Sequence, residues 1–169
     1  IPGTGSLILE NLKVKDDVLA VCAHEDGVLL YSLSNPSNPS YSATIPTENA
    51  WAVELSNGYA YIADEDNLLV VDISNINLPV MVTTIEAGNA IKDVLIDDNL
   101  LYIALGSDGI NIYDISDSSF PIFLDNNNTS TLAHKISAFD GKLAVADWDD
   151  IEILEWNGSD LQQVGYKNT

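Results

Sequence analysis

The sequence predicts an all-β fold made of four copies of one four-stranded unit. Three observations predict it. Short runs rich in Val, Ile, Leu and Tyr alternate along the chain with breaks rich in Asn, Asp, Gly and Pro, the pattern of strands joined by tight turns. No window of about eleven residues carries the 3.6-residue apolar period of an amphipathic helix. One strand-and-turn phrase is spelled three times: VLLYSLSNPSNP from Val28 to Pro39, NLLVVDISNINLP from Asn67 to Pro79, and GINIYDISDSSFP from Gly109 to Pro121.

The elements follow in order within each copy. The second copy reads AWAVEL, then YAYIAD, then LLVVDIS, then VMVTTIE, with SNG, EDN and NINLP as the joins. Joins this short pair consecutive strands as an antiparallel meander. The third strand ends at Ser34, Ser74, Ser116 and Asn157, and an upstream alanine falls at Ala23, Ala63, Ala104 and Ala146. Both anchors repeat about every forty residues, which marks a repeat architecture. The turn proline recurs at Pro39, Pro79 and Pro121, and Leu161 stands in its place in the fourth copy.

Columns through the copies show which faces are covered. Cys22, Ile62, Ile103 and Val145 align as one apolar column, Leu30, Val70, Ile112 and Ile153 as a second, and Leu33, Ile73, Ile115 and Trp156 as a third. Ser32, Asp72, Asp114 and Glu155 form a polar column between them. Runs such as LLYIAL are apolar on successive residues, as in sheets covered on both sides. Four-stranded meanders of this length, stacked face to face, are the blades of a β-propeller. The predicted architecture is therefore a β-propeller segment of four blades, each of four antiparallel strands. The blades run over about 7–46, 47–86, 87–126 and 127–169, after a linker or excision scar at 1–6. The segment is expected to belong to a larger propeller, the alternatives being a self-contained four-bladed ring or two chains making an eight-bladed one.

Composition excludes several classes of function. The chain has 26 acidic side chains against six lysines, no arginine, and a net charge of −20. Phosphate backbones and anionic membrane surfaces are recognised by Lys and Arg, so nucleic acids and such membranes are excluded as partners. No apolar run of 18 residues is present, so direct insertion as a membrane helix is not expected. Cys22 is the only cysteine and lies in the apolar run VLAVCA, so it reads as a small buried hydrophobe.

The phrase LLVVDISNINLP resembles the LVIVD repeat, a family of β-propeller repeats from bacterial and archaeal cell-surface proteins. The turn of the first copy matches that repeat fully, the third copy matches its strand, and IEILEWNGSDL in the fourth departs most. The resemblance implies the propeller fold and an extracellular or cell-surface location more than a chemistry. The function expected of the chain is a non-enzymatic module for binding or scaffolding, of adhesion type. The alternative is a calcium-dependent propeller hydrolase of lactonase or esterase type. No G-x-S-x-G, HExxH, P-loop or G-x-G-x-x-G motif is present, so no catalytic residue is assigned.

Antiparallel order places the loops between second and third strands on the same side as the connections between blades. That face carries the candidate binding residues Trp51, Asp64, Asp66, Asp147, Trp148 and Asp149. Asp64, Asp66, Asp147, Asp149 and Asp150 are the candidate metal ligands, hard carboxylate oxygens suited to calcium. The expected partners are a protein or glycan at this acidic face, together with the remaining blades of a parent chain or a second copy. His24 and His134 have no ligand spacing and read as incidental, and Asn127, Asn128 and Asn157 begin N-x-Ser/Thr sequons.

Overall fold

The computed structural model describes residues 7–168, so the linker at 1–6 lies outside the described residues. Sixteen strands form four antiparallel sheets among them. The first sheet holds β1 (Asn11–Lys15), β2 (Val18–Cys22), β3 (Val28–Ser32) and β4 (Ser40–Ile45). The second holds β5 (Ala50–Ser56), β6 (Tyr59–Asp64), β7 (Asn67–Asp72) and β8 (Val80–Glu86). The third holds β9 (Asp93–Asp97), β10 (Leu100–Ala104), β11 (Ile110–Asp114) and β12 (Ile122–Asn127). The fourth holds β13 (Ala133–Phe139), β14 (Lys142–Asp147), β15 (Asp150–Trp156) and β16 (Leu161–Asn168). Each sheet is a meander in chain order.

Turn chemistry recurs with the repeat. The first hairpin of every sheet turns on a left-handed residue: Asp16 at φ 51°, Asn57 at 50°, Asp98 at 52° and Asp140 at 46°. Asn and Asp tolerate this conformation, and its twist suits a two-residue hairpin. The thrice-spelled phrase is a cap followed by a turn. Asp72 accepts the Ser74 N–H at 2.8 Å, and Asp114 accepts the Ser116 N–H at 2.7 Å. Hydrogen bonding to Ser74 and Ser116 holds both carboxylates below the usual aspartate range. The chain then reverses on Asn38 N–H to Asn35 O, Leu78 N–H to Asn75 O and Phe120 N–H to Asp117 O. A β-bulge interrupts the pairing of third and fourth strands at the same place in all four sheets, after Leu30, Val70, Ile112 and Ile153.

The sheets pack face to face in chain order. Ala20, Cys22, Val28 and Leu30 of the first sheet meet Val53, Ile62, Leu69 and Val71 of the second. Tyr61, Ala63, Leu68 and Val70 on the reverse of the second meet Leu101, Ile103, Tyr113 and Ile115 of the third. Tyr102, Ala104, Ile110 and Ile112 meet Leu143, Val145 and Leu154 of the fourth. β1, β5, β9 and β13 lie side by side along the inner edge. The arrangement is propeller-like. Among the described residues no core cluster joins the fourth sheet to the first. Val21, Ala23 and Leu29 on the outer face of the first sheet gather only Leu7, Leu19 and Tyr31 from the same stretch of chain.

One aligned column needs correction. Cys22 pairs with Val28, whereas Ile62 pairs with Leu69. Cys22 therefore shares its face with Ala63 and Ala104, not with Ile62, Ile103 and Val145, and the counterpart of Ala23 is Asp64. The cause is loop length. Residues 23–27 and 105–109 separate second and third strands in the first and third blades, one residue more than a match to the second blade allows. Cys22 is fully buried, and burial, with Glu10 adding, pushes its thiol up to about 12. It is an inert core residue.

Gly109 shows how closely the longer loop approaches its neighbour. A Cβ there would meet Asn127 O at 2.1 Å and Thr129 N at 2.7 Å, on a backbone with φ 71°. Gly88 is also left-handed, at φ 88°, but has open space around it. Gly109→Ala is expected to lower the unfolding free energy by about 2–4 kcal/mol, combining conformational strain with a backbone collision. Gly88→Ala carries the strain alone, about 1 kcal/mol. Urea denaturation of the two variants checks the difference.

Candidate functional site

The loop face is built around a repeated backbone latch. After each second strand one residue takes a left-handed turn: His24 at φ 51°, Glu65 at 55°, Gly106 at 58° and Trp148 at 55°. At three of these positions the carbonyl accepts an N–H from the start of the next blade. Ala50 donates to His24 at 3.2 Å, Ile91 to Glu65 at 2.7 Å, and Ala133 to Gly106 at 3.0 Å. Trp148 occupies the fourth latch position. The sequence gives Trp51 and Trp148 as binding residues, and the structure places both at latches. Trp51 sits in a bulge of β5 with its ring edge-on to His24, centroids 4.9 Å apart. Trp148 is 74% exposed and tilts against His134, which occupies the corresponding bulge in β13.

His24 does more than fill space. Its carbonyl also accepts the Thr47 hydroxyl at 3.0 Å, Nδ1 meets Asn49 Oδ1 at 2.9 Å, and Nε2 lies 3.4 Å from Glu10. An acidic cleft of about 490 Å³ opens beside it, lined by Glu25, Asp26, Glu48 and Glu65. This cleft spans the junction of the first two blades. Its shape and charge suit a cationic group or a polar chain.

Asp64 and Asp147 end the second strands of the two blades with short loops. Both are buried, and both cap the connection arriving from the preceding blade. Asp64 divides its bonds: one oxygen accepts Glu48 N–H at 3.0 Å and the other Asn49 N–H at 2.6 Å. Asp147 accepts Thr131 N–H at 2.8 Å and the Ser130 hydroxyl at 3.0 Å on the same oxygen. Asp66 accepts the Asn67 side-chain amide, and Asp149 accepts the Thr131 hydroxyl at 3.1 Å. Of the five predicted metal ligands, the structure brings Asp147 and Asp150 together, and Glu152 joins them. Asp64 and Asp66 belong to the second blade, and Asp149 lies outside the group. Glu152 escapes a search for adjacent acids because it sits within a strand. Its signal is register: it pairs with Val145 as Leu69 pairs with Ile62.

A second set of charges lies along the inner strands. Lys13 donates to Glu54 at 2.5 Å, joining the first two blades. Asp93 accepts Lys135 Nζ at 3.2 Å and Ile136 N–H at 3.1 Å, joining the third and fourth. Glu54 is buried, and desolvation raises its pKa against the opposing hydrogen bond from Lys13. This pair leaves no local trace in the sequence, because Lys13 lies 41 positions from Glu54.

With this geometry in view, comparison with known proteins defines the class. A family model of the LVIVD repeat matches residues 48–86 and 87–129. The matched segments are LVIVD repeats, and they cover the second and third sheets. No curated protein matches it in sequence. Among solved structures it is similar to a functionally unknown protein from Desulfotomaculum acetoxidans, with TM-score 0.83, 15% identity, and coverage of 98% of this chain and 57% of the other. It is similar to the periplasmic gluconolactonase of Pseudomonas aeruginosa, with TM-score 0.77, 11% identity, and coverage of 95% and 54%. It is also similar to the computationally designed Ika4 protein, with TM-score 0.68, 11% identity, and coverage of 90% and 93%. The chain thus spans little more than half the length of the first two. At these identities the likeness concerns the fold.

Glu54 gives a pH prediction. Its raised pKa means that the protonated form is the better accommodated one in the fold. The stability it contributes is present below about 4.5, the ordinary value, and is lost as pH rises through the raised folded value. Glu54→Gln is neutral throughout. The variant's melting temperature relative to wild type is expected to climb between about pH 4 and pH 8. Paired thermal melts across that range check the sign.

Proposed function

We propose that the chain is a non-enzymatic segment of a larger extracellular β-propeller, of cell-surface or adhesion type, that presents its acidic loop face to a protein or glycan partner. The observation that carries this reading is the latch. Three blades hand their successor a carbonyl from a left-handed residue, and Trp148 repeats that conformation at the last blade. A further blade would donate to Trp148 as Ala50, Ile91 and Ala133 donate to their latches. It would also cover Ile151, which is exposed on the outer face of the fourth sheet. Apolar faces of this kind are covered in a complete propeller. The extracellular placement rests on the resemblance to cell-surface LVIVD-repeat proteins.

A lactonase or esterase would need carboxylates from several blades available at the axis. Glu54 and Asp93, the acidic side chains buried along the inner strands, are engaged by Lys13, Lys135 and the Ile136 N–H. This supports a structural use of the axis. The gluconolactonase resemblance, at 11% identity, is one of fold.

Light scattering over a concentration series tests the reading. Association above the 18.3 kDa monomer is expected, and Ile151→Lys should reduce it by charging the outer face. A monomer at all concentrations with one sharp melt would overturn the larger-propeller reading in favour of a self-contained arc. Turnover of any member of a lactone and ester panel would overturn the non-enzymatic one.

A further inference from the structure

We infer that Asp147, Asp150 and Glu152 form a binding site for one divalent cation, of calcium type, which clamps the connection entering the fourth blade. One carboxylate oxygen from each lies within 4.8 Å of the other two. Two oxygens on one ion can stand no farther apart than twice the metal–oxygen distance. That limit is about 4.6–5.2 Å for calcium, so one ion of that size can reach all three.

Burial and missing partners point to a ligand. Asp147 is 0%, Glu152 2% and Asp150 7% exposed. One oxygen of Asp147 and one of Asp150 are buried with no hydrogen-bond partner, and so is the Thr129 hydroxyl in the adjoining connection. The donors that do reach the cluster are few. Ser130 gives its N–H to Glu152 at 2.8 Å and shares its one hydroxyl proton between Asp150 at 2.7 Å and Asp147 at 3.0 Å, and Thr131 gives its N–H to Asp147. Among the described residues no lysine or histidine forms an ion pair with any of the three. Buried carboxylates left in this condition are costly, and a divalent cation supplies both the charge and the missing partners.

The second blade is an internal control. It has the same short loop and the same capping aspartate, Asp64, with both oxygens satisfied. Where the fourth blade has Asp150 and Glu152, the second has Asn67 and Leu69, in the same paired registers. The cap alone therefore needs one carboxylate. The two additional acids of the fourth blade are what an ion requires. This inference stands apart from the propeller reading, since it concerns groups within one blade and its own incoming connection.

The test uses chelator-treated protein. Calorimetric titration with calcium chloride should show one site per chain, and about a hundredfold excess over Kd should raise the melting temperature by about 5–10 °C. Asp150→Asn with Glu152→Leu copies the second blade and should remove both the binding and the shift. Asp150→Asn alone should weaken binding at least about tenfold, which keeps the test decisive if the double variant does not fold. Asp64→Asn should leave calcium binding unchanged. No binding by the wild-type chain would overturn the inference. So would a calcium response that survives Asp150→Asn, because the ion would then sit on other carboxylates. Neither result bears on the mass measured by light scattering.

Discussion

The hydrogen bond from the start of one blade to a left-handed carbonyl in the blade before it organises the whole molecule. A β-sheet satisfies its own backbone groups laterally but has no such means of addressing a sheet stacked on its face. Side-chain burial alone is non-directional, and two flat apolar faces could slide. The latch at His24, Glu65 and Gly106 fixes the offset between neighbours. It sets which residues of each face meet, and it brings the loops of one blade against the connection to the next. The acidic cleft beside His24 and the carboxylate cluster of the fourth blade both lie at such meeting points.

The acidic surplus therefore has two distinct locations. Much of it is exposed at turns, where Asp72, Asp114 and Asp117 cap nearby serines and keep low pKa values. These groups are solvated and cost little. A smaller part is carried into the interior on Asp64, Asp147, Asp150, Glu152, Glu54 and Asp93. There each carboxylate has to be matched by backbone N–H groups, a lysine or an ion. The fold gives Asp64 two amides, gives Asp93 a lysine and an amide, and gives Glu54 a lysine.

Strand content, blade number and blade order were legible in the sequence because a period near forty residues repeats turn chemistry and apolar faces together. Register in the first blade was not. The residues VCAH and IADE offer an alanine at similar spacing, and only backbone pairing reveals that the longer loop shifts one alignment by a position. The site was half legible for a related reason. Asp147, Asp149 and Asp150 are adjacent in the chain and draw notice as a group. Glu152 belongs with two of them only because a strand returns side chains to the same face every second residue. Contacts between blades, such as Lys13 with Glu54, are set by stacking geometry and leave no local trace.

The solitary thiol of Cys22 lies at the centre of the first interface between blades, sealed from solvent and with its pKa near 12. While the first two blades stay together it cannot react. The moment they part, an ordinary thiol is offered to any alkylating reagent. The chain thus carries an intrinsic clock for breathing at that seam: the rate of labelling in native buffer reports how often one blade lifts from its neighbour, with no engineered probe.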